Sequence, residues 1–166
     1  MKVPESIVKP SHVLSIDDLE MIFENLKVIL EEEVDTQDME AISEKLSEYR
    51  VWFSYLIDAV PSAKWYYQTM YNHHYQEALL KVKNGKEKLY AGFSSPSMLK
   101  DYMKSKCADF IWLESKADRM YSALVHSIDV LRSQLSKQKE IYKVEMFNSR
   151  SGSQGRDVKQ KPNSES

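Results

Sequence analysis

Two sets of residues in this 166-residue chain have side chains and spacings that could do chemistry. The first is aromatic: Trp52, Tyr55, Trp65, Tyr66, Tyr67, Tyr71 and Tyr75 crowd one stretch, with Arg50 and Lys64 interleaved. Exposed rings beside cations stack nucleobases and hold phosphates, while the same rings also build cores and subunit interfaces. They cover more of a helix circumference than one packing seam needs. The interface use leads, and base stacking stays open beside it. The second set is basic. Lys100, Lys104, Lys106, Lys116, Arg119, Arg132, Lys137, Lys139 and Lys143 recur through the second half, broken by acids such as Asp101, Glu114 and Asp118. The run strengthens after Lys137, where Arg150, Arg156, Lys159 and Lys161 continue it, a pattern suited to a phosphate backbone. Candidate phosphate contacts are therefore Arg132, Lys137, Lys139, Lys143 and Arg150, with Trp52 and Trp65 as candidate stacking groups.

Other chemistries find little here. His73 and His74 are adjacent, so on a helix they point about 100° apart and not to one face as a metal pair needs. His12 and His126 stand alone, and Cys107 is the only cysteine, so neither a zinc pattern nor an intramolecular disulfide is available. Cys107 falls on an apolar face and is expected as a small buried thiol in a reducing compartment. The four glycines, at 85, 92, 152 and 155, form no phosphate-cradling loop, and no serine sits in a nucleophile elbow. A metal-free, cofactor-free, non-enzymatic protein is expected.

The elements that must position these residues are helices. Leu46, Tyr49, Phe53, Leu56, Val60, Ala63, Tyr67 and Met70 form one apolar stripe at steps of three and four; Leu99, Met103, Phe110, Leu113, Ala117, Met120, Leu124, Leu131 and Leu135 form another. Such stripes mark helices that bury a seam against a partner. The first helix of the chain is expected over residues 15–33, capped by Ser15 and with Leu19, Ile22, Phe23, Leu26, Ile29 and Leu30 on one face. Asp35 or Thr36 would cap the next helix, which should run to about Lys83 before the turn dipeptide Asn84–Gly85. Pro61 lies inside it. Either the helix kinks near residues 58–61, or it stops at Ala59 and restarts with Pro61 in its first turn; the unbroken phase through Val60 and Ala63 favours one kinked helix. Residues 86–93 read as a linker, Ser95 as a cap and Pro96 as the start of a helix reaching Met146 without proline or glycine, about 75 Å at 1.5 Å per residue.

The expected fold is thus all-α: a long antiparallel, coiled-coil-like hairpin over residues 15–146 with the shorter N-terminal amphipathic helix packed along it. Residues 1–14 are expected as a flexible lead-in and 147–166 as a disordered basic tail. Charge is unevenly spread. Residues 15–48 carry twelve acids and two lysines, whereas residues 49–166 carry nineteen bases and twelve acids. This polarity could place one subunit's acidic arm on another's basic face, or leave the basic end for a polyanion. With no long apolar run and no signal-peptide pattern, a soluble cytoplasmic protein is expected.

Several segments resemble a known group. Residues 48–56 (Glu-Tyr-Arg-Val-Trp-Phe-Ser-Tyr-Leu) lead to Ala63–Lys64 and a Tyr-rich continuation. Residues 97–100 (Ser-Met-Leu-Lys), 112–121 (Trp-Leu-Glu-Ser-Lys-Ala-Asp-Arg-Met-Tyr) and 131–137 (Leu-Arg-Ser-Gln-Leu-Ser-Lys) complete the pattern. Over roughly residues 44–139 it resembles small phage-encoded helical-hairpin proteins, among them recombination mediators of the UvsY type from the T-even phages. The acidic N-terminal helix lies outside the likeness. The resemblance implies a homo-oligomeric accessory protein that binds single-stranded DNA and helps a recombinase displace a single-strand-binding protein, in the host cytoplasm if phage-encoded. The alternative from the residues alone is a coiled-coil protein–protein adaptor or assembly chaperone that does not bind DNA.

Overall fold

The computed structural model describes the backbone of residues 1–83 and 96–154, and side chains of 1–78 and 99–149. Four helices account for it: α1 (Ile16–Glu31), α2 (Met39–Lys83), α3 (Pro96–Lys106) and α4 (Ala108–Gln154). No strand occurs among the described residues, so the fold is all-α as expected.

Local chemistry explains where the helices begin. Ser15 Oγ accepts from the Asp18 N–H at 3.1 Å, and the Asp18 carboxylate accepts from the Ser15 N–H at 3.2 Å. This reciprocal box satisfies two donors that a helix start leaves orphaned. The Ser15 hydroxyl also donates to the Asp18 carboxylate, and this bond, with the one from the Ser15 N–H, holds the Asp18 carboxyl below the usual carboxylate range. α2 starts later than its sequence signals indicate. Asp35 spends its carboxylate on the Gln37 N–H (2.9 Å) in a local turn, and Asp38 caps the helix instead by accepting from the Glu40 N–H (2.8 Å).

Pro61 sits inside an unbroken α2. It is exposed, so the carbonyl deprived of its helical donor lies on the solvent side. Beside it, buried Ser62 donates to the Asp58 carbonyl (2.6 Å) and accepts from the Leu14 N–H (3.0 Å). Tyr66 Oη donates to the Leu14 carbonyl (3.0 Å). The segment read as a loose lead-in is therefore docked: Val13 is buried, and Val3, Ile7 and Leu14 pack on the core.

The second long helix is interrupted where sequence gives no breaker. The Cys107 N–H is shared between the Met103 (3.2 Å) and Lys104 (3.1 Å) carbonyls, and the Cys107 carbonyl accepts from both Phe110 (3.0 Å) and Ile111 (2.9 Å). This tightened turn separates α3 from α4 while Met103, Cys107, Phe110 and Leu113 all stay buried. Cys107 is the buried thiol expected, and burial pushes its pKa up.

α2 and α4 run antiparallel. Tyr66 lies against Phe110 (ring centroids 6.4 Å), Phe53 against Tyr121 (5.5 Å), and Gln138 Nε2 donates to the Thr36 carbonyl (3.1 Å). Leu56, Leu113 and Leu124 are fully enclosed along this seam, and α1 closes one side of it with Leu19, Phe23 and Leu26. Truncating one such leucine to alanine costs about 2–5 kcal/mol. α4 does not stop near Met146 but continues to Gln154, past the Gln138–Thr36 contact that marks the end of the bundle. That overhang is about 24 Å long at 1.5 Å per residue. The expected linker at 86–93 and the Ser95 cap lie outside the described residues, as does the tail from 155 onward.

Candidate nucleic-acid interface

An open groove lies on the side of the helix away from Cys107. Lys104 and Ser105 from the end of α3, with residues of α4, line its volume of about 650 Å³. The α4 part follows from helical spacing: Ala108, Trp112, Ser115 and Arg119 recur at steps of four, three and four, facing away from the buried seam. Small Ser105, Ala108 and Ser115 leave the space; Ile111 and Met120 supply apolar walls. Lys104, Lys116 and Arg119 bring three cations, and no carboxylate is among the lining residues.

Trp112 is the largest ring presented there, 55% exposed. Lys116 Nζ lies 5.1 Å from its ring centroid and 5.6 Å from that of Phe23, so the ammonium bridges the indole to α1. It also pairs with Glu24 at 2.7 Å. Hydrogen bonding to Lys116, reinforced by its charge, holds the Glu24 carboxyl below the usual carboxylate range. Lys116 thus anchors the ring and spends part of its charge doing so, leaving Lys104 and Arg119 as the exposed cations of the groove.

The residues singled out from sequence are distributed differently. Trp52 is half-buried beside Tyr55 (5.4 Å) in a crevice of about 360 Å³ between α1 and α2. Trp65 is half-buried against Tyr66 (5.0 Å) and packs on the core. Thirteen residues apart on α2, the two indoles point about 140° away from each other and form no shared platform. Arg132 is 3.8 Å from Asp129 and lines a crevice of about 300 Å³ with Arg50, Phe53 and Tyr121. Arg132, Lys139 and Lys143 fall within about 40° of arc on α4, one exposed flank on the other side of the helix from Trp112. Lys137 stands apart from that flank and in line with Arg119, five turns further on. Arg150 lies in α4, its side chain outside the described residues. The structure therefore unites three of the expected bases but brings neither expected tryptophan to them.

Trp112, Lys104, Lys116 and Arg119 are what the aromatic reading missed. Their signal was the spacing of Trp112, Lys116 and Arg119 on the face opposite Leu113 and Ala117, rather than ring density along one stretch. His73 and His74 both approach Glu77 (3.4 and 3.3 Å), and no group of His, Cys, Asp or Glu able to hold a metal occurs among the described residues. No helix is long and apolar enough to cross a membrane, again among the described residues. Comparison with protein-family models, curated proteins and solved structures finds no match to this chain.

Proposed function

We propose that this chain is a non-enzymatic, single-stranded-DNA-binding accessory protein of recombination or replication, mediator-like and acting as a homo-oligomer. The observation that carries the reading is the groove at the α3–α4 break, where an exposed Trp112 stands among Lys104, Lys116 and Arg119 with no carboxylate in the lining. A strand with splayed bases offers both groups such a groove can take: a π-face for the indole and phosphates for the cations. Arg132, and Lys137 in line with Arg119, add positive field along α4. Repetition of a weak site in an oligomer multiplies affinity through effective concentration. A recombinase and a single-strand-binding protein are the protein partners this role requires, in the cytoplasm.

The test is fluorescence anisotropy of labelled poly-dT at low and moderate salt. The two exposed cations of each groove, Lys104 and Arg119, give a slope of about −1.4 in log affinity against log salt for each chain. Trp112→Ala should weaken binding by about 1–3 kcal/mol, roughly 5- to 150-fold. Absence of binding at low salt overturns the proposal, as does an affinity indifferent to both salt and Trp112. The adaptor reading is favoured by a different observation, the apolar α1–α2 crevice at Trp52 and Tyr55; it gains if DNA does not bind and a folded complex with another protein forms.

A further inference from the structure

Among the described residues, two apolar surfaces have no neighbour packed on them, and they differ in charge. The first is the α1–α2 crevice. Met21 (56% exposed), Val51 (54%) and Tyr55 (49%) border it with half-buried Trp52. Helical register continues this strip into acids: Asp17 lies one turn before Met21, and Glu44 and Asp58 lie seven residues either side of Val51. Glu32 and Glu48, nearer the end of the bundle, share the buried Lys45, which pairs with both. Residues 15–48 as a whole keep a balance of −10, twelve acids against two lysines.

The second surface is the α4 overhang. Beyond Gln138 there is no α2 to cover the seam, yet apolar side chains continue: Ile141 (42% exposed), Tyr142 (51%), Val144 (58%) and Met146 (41%). Lys139 and Lys143 lie on the flank beside Tyr142 and Met146, with Glu140 and Glu145 outside that arc, and the wider stretch 132–161 holds eight bases against three acids, a balance of +5. An apolar helix end with a basic flank is therefore matched on the same chain by an apolar crevice with an acidic border.

The overhang cannot fill its own crevice. Phe53 is level with Tyr121, so Trp52 lies opposite that part of α4, and Tyr142 is about 30 Å further along a continuous helix that points away. The occupant must come from another molecule. We infer that the C-terminal end of α4 of one copy docks in the α1–α2 crevice of a second copy, apolar strip on apolar strip, with Lys139 and Lys143 against the acids that border it. This contact is head-to-tail: each copy offers a different surface to each of two neighbours, so association continues until the rotation closes it. It rests on the homo-oligomeric reading above and deepens it by naming the surfaces. The DNA groove at Trp112 lies outside it, and Lys139 and Lys143 then face protein rather than phosphate.

A mixing experiment on full-length protein separates this from a two-fold contact. Val51→Glu/Tyr55→Glu spoils the crevice and Tyr142→Glu/Met146→Glu spoils the overhang; all four side chains are well exposed, and far-ultraviolet circular dichroism checks the helices. By light scattering each variant alone should be monomeric, and a 1:1 mixture should give a dimer and nothing larger, since one intact contact remains and both outer ends are blocked. As a second pair, Glu44→Lys/Asp58→Lys and Lys139→Glu/Lys143→Glu should each dissociate the assembly, and combining all four in one chain should restore it. A monomeric wild type, a mixture that stays monomeric, or variants that assemble as wild type each overturn the inference. Trp112→Ala should leave assembly unchanged while weakening poly-dT binding; a wild type that assembles but does not bind poly-dT refutes the functional reading and not this contact.

Discussion

The N-terminal segment is held on α2 by two hydrogen bonds to one residue as well as by apolar packing, and removing those bonds is the most direct test of its docking. Leu14 donates its N–H to Ser62 Oγ and receives a hydrogen bond at its carbonyl from Tyr66 Oη, each at 3.0 Å. Ser62 is 3% exposed, so Ser62→Ala leaves the Leu14 N–H facing protein with no acceptor, a cost of about 1–3 kcal/mol. Tyr66→Phe removes only the donor to a carbonyl and should cost about 0.5–1.5 kcal/mol. Because both bonds hold the same residue, the double variant should lose less than the sum, the sign of a shared unit. Urea unfolding followed by circular dichroism gives the three stabilities, and hydrogen exchange at the Leu14 amide reports the contact itself. The wild-type amide should be protected, and Ser62→Ala should abolish that protection while α4 amides near Leu124 stay protected. A Leu14 amide that exchanges freely in the wild type refutes the docking. Strict additivity of the two substitutions refutes the idea that they act on one anchor.

Two titratable groups give further expectations. Burial, with the nearby Asp118 charge adding and Lys64 opposing, raises the Glu114 pKa above the usual carboxylate range. An acid whose folded pKa is raised opposes folding when ionised, and this penalty vanishes as pH falls through its folded value to the unfolded one. Glu114→Gln should therefore raise the melting temperature near neutral pH and lose its advantage in acid; an equal gain at both pH values would rule out ionisation as the cause. Cys107 is fully buried with its thiol pKa raised by that burial, so an aromatic disulfide reagent should label it at the rate of global unfolding, and accelerate with urea. Rapid labelling of the native chain would contradict its place in the core.

How much of this was legible in sequence depends on whether the cause is periodic. The seam from Leu46 to Met70 and from Leu99 to Leu135 repeats over many turns, and the antiparallel α2–α4 pair follows from it. The Ser15 cap was legible because capping is local, though the reciprocal bond to Asp18 was not part of that reading. The lead-in was misjudged because what orders it is tertiary: Ser62 and Tyr66 are 48 and 52 residues away from Leu14, and a loop held by side chains on another helix has no period. The cap moved from Asp35 to Asp38 because two nearby aspartates compete for one helix start, and only one can also bond its own turn. The break at Cys107 has no proline or glycine to announce it. The groove beside it was legible in part, since Ser105, Ala108, Trp112, Lys116 and Arg119 recur at helical spacing on one face, but the open space between those side chains is a matter of packing that spacing does not reveal.

The acidic helix poses an electrostatic problem for any polyanion partner, and the geometry answers it in two parts. α1 spends Glu24 on Lys116, and that ammonium is the one over both Phe23 and Trp112, so one carboxylate of the acidic helix is used to hold the indole of the groove rather than to repel what approaches it. Asp17 lies in line with Met21, on the far side of α1 from Phe23, with the α2 acids Glu44 and Asp58 in register beside Val51, whereas Glu20 and Glu31 fall within about 40° of Glu24. A phosphate in the groove would meet Lys104 and Arg119 first, and beyond a Debye length of about 8 Å the acidic strip is screened at physiological salt. Charge of both signs on so small a chain is then a division between two faces. The acidic face suits the basic helix end of another copy, and the basic face suits a polyanion. Trp112 and Lys116 are already neighbours one turn apart on α4, and Glu24 and Phe23 fix the ammonium between the two helices, so the acidic helix helps to hold the exposed indole in place.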